Sequence, residues 1–322
     1  MSDTLQVSST VRPTTRRQTQ PARNRPVTAP PVPGELVHRP HPEDVLITSW
    51  QRRDGSRFSL TGQWPHNHGY FTPSHGRHHL VLTGETIRQA GLLLSHSELG
   101  VPLGHHFILS DLVYTMSPGH LASRTAPTPL VIDVTCSGTR MRAGALASSR
   151  FDMTIRTGGH VVATGHSHVN VTSPGVYRRI RGERLLARPA PGPLAPPVPR
   201  ELTGNASDRD VLLSPTGEPG RWLLRVAPGH ATVVNPANDH VPGLSLLDAA
   251  QQAARALFAP APFVPYAFST QFHRYAEHGV PCVIAARRIP PTLPGITTVE
   301  VVGEQHGEPV FVSTLTGLDA YH

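Results

Sequence analysis

The chain contains no lysine: all 29 basic residues among its 322 are arginine. This excludes Schiff-base chemistry and a phosphate-binding P-loop, both of which need a lysine amine. An anion must then be held by arginine, histidine or backbone amides. Cysteine is almost as scarce, with only Cys136 and Cys282, so a disulfide framework is excluded and a reducing cytoplasm is the expected compartment. No run of about 18 apolar residues occurs, and no membrane association is expected. An apolar secretory region is missing too, and Arg16-Arg17 is not followed by the apolar run of a twin-arginine signal, so no export is expected. Aromatic residues are only 6%, and the arginines are not interleaved with them, which argues against nucleic acid as a partner.

What is present points to turns and to two domains. The chain has 34 prolines and 28 glycines, with 38% apolar residues to build cores. Its length fits about two domains. A net charge of +7 suits an acidic partner such as a phosphopantetheine-bearing carrier protein.

The stretch LVLTGETIRQAGLLLSHSELG, residues 80–100, reads as a helix. Ile87, Ala90, Gly91 and Leu94 form one apolar stripe at helical spacing. Thr83 is the expected N-cap, and Gly100 with Pro102 closes the segment. Glu85 and Gln89 lie one turn apart, with Arg88 beside them. A second stretch, HVPGLSLLDAAQQAARALF at residues 240–258, answers the first. Asp248 falls where Glu85 falls, Gln251 where Arg88 falls and Gln252 where Gln89 falls. Upstream, the EDVL at residues 43–46 is answered by the RDVL at 209–212. The same order of strands, loop and acid-bearing helix twice over means that one unit has been duplicated.

The order of elements then divides the chain. Residues 1–33 are rich in Thr, Pro, Arg and Gln and are expected to be a disordered tail. Residues 34–187 form the first domain, 188–200 a proline-rich linker, and 201–322 the second domain. In each domain strand-like runs precede one long helix, expected at 83–98 and 245–258, and an antiparallel meander follows it. The fold class is therefore α+β: a tandem double hotdog, each copy a sheet wrapped around a central helix, with the two sheets pairing edge to edge.

The segments GQWPHNHGYF, HLVLTGETIRQAG with SELGVPLGHHF, NDHVPGLSLLDAAQQAA and QFHRYAEHGVPCV together resemble the A-factor biosynthesis family of actinomycetes. The resemblance runs from about residue 36 to the C-terminus, apart from the connector. It implies an acyltransferase that moves a β-ketoacyl group from acyl carrier protein, or another acyl thioester, to a hydroxyl of dihydroxyacetone phosphate. The phosphorylated ester would then cyclise on the way to a γ-butyrolactone. No cofactor is implied, and a homodimer is left open. The resemblance also implies functional roles for an acid of the first helix and for an acid and an arginine of the helix in the other copy. Those positions are Glu85, Asp248 and Gln251, so Asp stands for the expected Glu and Gln for the expected Arg. Gln cannot grip a phosphate as a guanidinium fork does; Arg88, or Arg255 one turn along, is the expected substitute.

Acyl transfer to a hydroxyl needs a base and donors for the developing oxyanion. Glu85, as base or orienting acid, and Asp248 are the first candidates, with capping of their helices as the alternative. Gln89 and Gln252 are expected beside the substrate. His78 and His240, just before the two helices, could polarise a carbonyl or bind phosphate, or else hold loop to helix. Arg274 and Arg287-Arg288 are further candidates for phosphate or carrier-protein contact. Paired histidines such as His66/His68 and His166/His168 make zinc conceivable, but no cysteine or carboxylate cluster stands at ligand spacing. Cys282, in an apolar run, reads as a buried inert thiol. A dehydratase would need a histidine where Phe71 and Val234 stand. Two other readings remain: a non-catalytic double hotdog that binds an acyl chain or butyrolactone, and a thioesterase-like enzyme.

Overall fold

The two duplicated stretches fold alike. The computed structural model describes residues 31–71, 76–120, 122, 125–188, 194–227, 230, 232, 238–290 and 295–318. The first copy comprises β1 (Ile47–Arg52), β2 (Arg57–Trp64), α1 (Val81–Ser97), β3 (His106–Met116), β4 (Thr128–Arg142), β5 (Ala145–Thr157) and β6 (His160–Thr172). Two short helices follow, α2 (Pro174–Arg181) and α3 (Arg200–Thr203). The second copy comprises β7 (Leu213–Pro215), β8 (Arg221–Leu224), β9 (His240–Val241), α4 (Gly243–Phe258), β10 (Val264–Phe272), β11 (Ala276–Glu277), β12 (Val283–Ile289), β13 (Ile296–Gln305) and β14 (Glu308–Leu318).

Alternation fixes which side of each strand is covered. Along β4, Leu130, Ile132, Val134 and Cys136 are buried and the residues between them are exposed, the period of two expected of a sheet with one wet face. Twelve strands make a single antiparallel sheet in the order β1-β2-β4-β5-β6-β3-β10-β14-β13-β12-β8-β7. Read from either edge, the strands arrive in matching sequence, which is the signature of the duplication. The copies meet where β3 pairs with β10, centred on Val113 opposite Ser269. Tyr114 and Phe268 stack across that seam at 5.3 Å. Helix α1 packs on β3, β5 and β6, α4 on β10, β12, β13 and β14, and the two helices touch each other.

Both helices begin two residues before the expected starts. Thr83 is not a cap: it lies inside α1, fully buried, with Leu80 at the N-cap position. Burial of Leu80, Val81 and Leu82 extends the helix past the capping signal, because tertiary packing outweighs a cap worth about 1 kcal/mol. Glu85 therefore sits one turn inside the helix and not at its dipole end.

The expected tail falls mainly on residues 1–30, outside the described residues; Val32 is buried in the core, so order starts before residue 34. Of the linker, residues 189–193 lie outside the described residues. Val198 is buried there and its N–H donates to the Leu213 carbonyl. Among the described residues no helix is long and apolar enough to cross a membrane.

Candidate active site

The glutamines that follow the acids do the same work in both copies. Gln89 Nε2 donates to the Asp44 carbonyl at 2.7 Å and its Oε1 accepts from Leu46 N at 2.8 Å. Gln252 repeats this on the Asp210 carbonyl at 2.9 Å and Leu212 N at 2.8 Å. Each amide also donates to its own acid, Gln89 to Glu85 at 2.7 Å and Gln252 to Asp248 at 2.8 Å. Both are fully buried. The expectation that Gln89 and Gln252 bind substrate is therefore corrected: they clamp the chain leading to the first strands. Two histidines complete the repeated frame, His68 on Asp44 at 3.1 Å and His230 on Asp210 at 3.0 Å.

Around Glu85 the frame opens onto a cavity of about 980 Å³. Glu85 is fully buried. Its Oε1 accepts from Arg39 Nε and Arg88 Nη2, both at 2.8 Å, and its Oε2 accepts from Arg88 Nε at 2.8 Å. Burial alone would raise the carboxyl pKa, but the two guanidinium groups outweigh it and hold Glu85 well below the usual carboxylate range. Arg39 Nη1 also donates to the Thr232 carbonyl, and Arg88 Nη2 to the Val37 carbonyl at 3.2 Å. One carboxylate is bonded by two guanidinium groups, and the buried Asp44 also acts on Arg39. Arg39 Nη2 and Arg88 Nη1 remain without a partner among the described residues. Glu85, Arg39 and Arg88 all line the cavity. Beside them His38 is kept neutral by burial and by Arg88, its pKa lowered to about 3.

Apolar lining comes from both copies: Gly84, Gly91 and Leu92 of α1, Phe107 and Leu112 of β3, and Leu244 and Leu247 of α4, while His106, Tyr177, His240 and Tyr275 add polar groups. A Cβ at Gly84 would lie 3.1 Å from the Tyr114 ring, a contact tighter than side chains normally make.

Asp248 is placed differently. It is fully buried and does not line the cavity. Its Oδ2 accepts from Tyr70 OH and from Gln252. Its Oδ1 has no hydrogen bond and lies 3.5 Å from His79 Nε2. His79 is pushed toward neutrality by burial, Asp248 opposing. Among the described residues no guanidinium bonds to this carboxylate, although the buried Arg255 acts on it electrostatically. In the amide orientation that satisfies its neighbours, Gln251 accepts from Arg255 Nη2 and Nη1 at 3.1 and 3.2 Å. Arg255 Nη1 donates to the Thr203 carbonyl at 3.2 Å, the counterpart of Arg88 on Val37. Asp248, Gln251 and Arg255 thus stand together, away from the cavity.

The other expected residues divide. His240 lines the cavity. Arg274 reaches its rim but pairs with Glu308 at 2.8 Å. His78 is buried 5.1 Å from the Trp64 ring and does not line the cavity. Arg287 pairs with Glu300, and Arg288 covers the Phe258 ring at 4.0 Å. Cys282 is a buried thiol pushed up to about 12 by burial. Phe71 is buried, while Val234 lies outside the described residues. Sequence reasoning missed Arg39, Tyr70 and Asp239. The signal available for the first two was the repeat, since Arg39 and Tyr70 stand where the second copy has Asn205 and Thr232.

The fold and the duplicated core place the molecule among tandem double-hotdog proteins. Two solved structures are similar in fold. One is described as an oleoyl thioesterase from Lactobacillus plantarum, with TM-score 0.53 at 14% identity, covering 84% of this chain and 99% of that one. The other is the 12:0-ACP thioesterase from Umbellularia californica, with TM-score 0.50 at 9% identity, covering 81% and 94%.

Sequence similarity narrows this class. The A-factor biosynthesis hotdog domain matches residues 19–173 and 186–318. A Streptomyces coelicolor 2-oxo-3-(phosphooxy)propyl 3-oxoalkanoate synthase is 44% identical over 292 residues, 90% of this chain and 92% of the relative. The Streptomyces virginiae protein of that name is 44% identical over 284 residues, 87% and 95%. The Streptomyces griseus protein is 41% identical over 295 residues, 90% and 97%. The chain belongs to the A-factor biosynthesis hotdog family.

Proposed function

We propose that this chain is a 2-oxo-3-(phosphooxy)propyl 3-oxoalkanoate synthase: an acyltransferase that moves a β-ketoacyl group from a thioester to the hydroxyl of dihydroxyacetone phosphate, in a γ-butyrolactone pathway. The observation that carries the reading is the pair Arg39 and Arg88, anchored on Glu85 at the wall of a cavity that also has an apolar lining from α1, β3 and α4. Two guanidinium groups with uncommitted donors suit a phosphate, and the apolar lining suits an acyl chain. Glu85 acts as the acid that orients both guanidinium groups. Gly243 and Leu244, at the N-terminus of α4, line the same cavity, and free N–H groups there suit the oxyanion of a tetrahedral intermediate.

The donor is an acyl carrier protein of the cytoplasm. The net charge of +7 supports this, as do Arg178 and Arg179, exposed on α2 next to Tyr177, which lines the cavity. The first copy holds the working acid, and Asp248 has a structural role in the second.

The test is to incubate the full chain with a β-ketoacyl pantetheine thioester and dihydroxyacetone phosphate and search for the phosphorylated ester by mass spectrometry. The ester is expected. Thioester bound but unchanged would make the chain an acyl-binding protein, and release of free β-keto acid alone would make it a thioesterase.

A further inference from the structure

The same cavity wall carries a second polar cluster, to which the acyltransferase reading gives no task. His240 and Asp239 come just before α4, and the pairing of His240–Val241 with Ala276–Glu277 fixes the backbone there. Asp239 is buried at 5% exposure. Its Oδ1 lies 2.8 Å from His240 Nδ1 and accepts from Tyr177 OH at 2.8 Å. Its Oδ2 accepts from Arg181 Nε at 2.6 Å. Arg181 is held in turn by both oxygens of Glu277 at 2.8 Å and lies over the Tyr275 ring. Tyr275 meets the His240 ring edge-on at 4.7 Å. Burial opposes ionisation of Asp239, but hydrogen bonds from His240, Arg181 and Tyr177 outweigh it and keep the carboxyl well below the usual range.

In the tautomer that places a proton on Nδ1, facing this carboxylate, Nε2 presents its lone pair to the cavity. Nε2 makes no hydrogen bond to a described residue, and His240, with a side chain 26% exposed, lines the cavity. Several other imidazoles also line it. His38 Nε2 is engaged with His96 at 3.0 Å, and His106 is stacked flat on Tyr177. Among the described residues only His240 has a carboxylate on its Nδ1 in this wall. Glu85 is the poorer base, because its oxygens already accept four hydrogen bonds and two guanidinium groups depress its basicity.

We propose that His240 is the general base of the acyl transfer and that Asp239 is its positioning residue; this rests on the acyltransferase reading. His240 Nε2 takes the proton of the acceptor's primary hydroxyl as that oxygen bonds to the thioester carbonyl carbon. When the tetrahedral intermediate collapses the carbon–sulfur bond breaks, and the imidazolium returns the proton to the departing thiolate. The ester and a free thiol leave, and the base is neutral again.

The experiment uses the purified full chain, a β-ketoacyl pantetheine thioester, and either dihydroxyacetone phosphate or phosphate-free dihydroxyacetone as acceptor. His240→Gln should lower kcat about 10²-fold or more with both acceptors alike, while each KM stays within about threefold. Added imidazole should restore turnover in His240→Ala. Asp239→Asn should lower kcat with KM unchanged; if that variant does not fold, His240→Gln decides. Loss confined to the KM of the phosphorylated acceptor would make His240 a phosphate ligand and overturn the proposal, as would full activity of His240→Gln. A wild-type protein that forms no ester with either acceptor overturns the acyltransferase reading first, and this proposal with it.

Discussion

Glu85 and Asp248 stand at matching positions of α1 and α4, both fully buried and both bonded to the glutamine one turn on. Yet Glu85 is gripped by two guanidinium groups at the wall of a cavity, whereas Asp248 is sealed under a phenol. The backbone frame is the same, down to the histidine on each Asp-Val-Leu aspartate. Two substitutions within it make the difference. Where Arg39 reaches Glu85, the second copy has Asn205, which bonds to the Asp210 carbonyl at 3.2 Å. Two residues after His68 comes Tyr70, which covers Asp248; two after His230 comes Thr232, whose carbonyl receives Arg39. An acid thus becomes part of a site or part of the core according to what its neighbours from other elements supply, and the helix that carries it does not decide which.

The strongest challenge to this contrast is Glu85→Gln. It leaves two buried guanidinium groups without their carboxylate and should lower stability by about 3–5 kcal/mol in denaturant titration. Turnover of the acyl thioester should fall by about 10²-fold or more, because both guanidinium groups lose their orientation. Asp248→Asn, whose carboxylate forms no ion pair with a guanidinium among the described residues, should keep wild-type turnover within about threefold; equal losses from the two variants would abolish the distinction. The acid side of the stability curve sharpens it further. Glu85 has a depressed folded pKa, so its contribution is complete above the unfolded glutamate value of about 4.3 and is lost as pH falls toward the folded value. Glu85→Gln should flatten stability against pH in that window.

Arg39→Ala and Arg88→Ala come next. Each should raise the KM for dihydroxyacetone phosphate by roughly tenfold or more, matching about 1.4 kcal/mol of lost binding, with the KM for the thioester little changed. Arg255→Ala in the second copy should leave both constants near wild type. If it raised the acceptor KM as far, phosphate recognition would lie in the wrong copy.

Much of this is legible in the sequence, for reasons that also explain what is not. The helical stripe of Ile87, Ala90 and Leu94, the alternation in β4 and the answering Asp-Val-Leu segments are local patterns, so they disclose two hotdogs and the two acids. The pairing order at the seam follows from the duplication. The helix start departs from the Thr83 signal because burial of Leu80 and Val81 is a tertiary effect. Arg39 lies 46 residues from Glu85, and Tyr70 lies 178 residues from Asp248 in the other copy; no periodicity connects them. The acidic residue beside His240 is adjacent in the chain, but its role depends on Tyr177 and Arg181, brought from α2.

Smaller effects test the sealed side. Tyr70→Phe removes the donor to Asp248 Oδ2 and should lower the unfolding midpoint by an amount worth about 1–3 kcal/mol, with turnover near wild type. Smallest of all, Gln251→Arg should change the KM for the phosphorylated acceptor by less than about threefold, since the new side chain starts away from the cavity and beside Arg255. A tenfold fall in that KM would show the second copy to be a latent phosphate site.

The seam where β3 meets β10 has a bearing on inheritance as well as on shape. In a dimer of identical halves every change is written twice, so a tyrosine that plugs one acid must plug the other, and an arginine that opens one must open both. Here both halves are encoded on one chain, and each change is written once. The covalent link also keeps the halves together at any dilution, so neither depends on a partner's abundance. Any division of labour between two descendants of one ancestor needs halves that are no longer interchangeable.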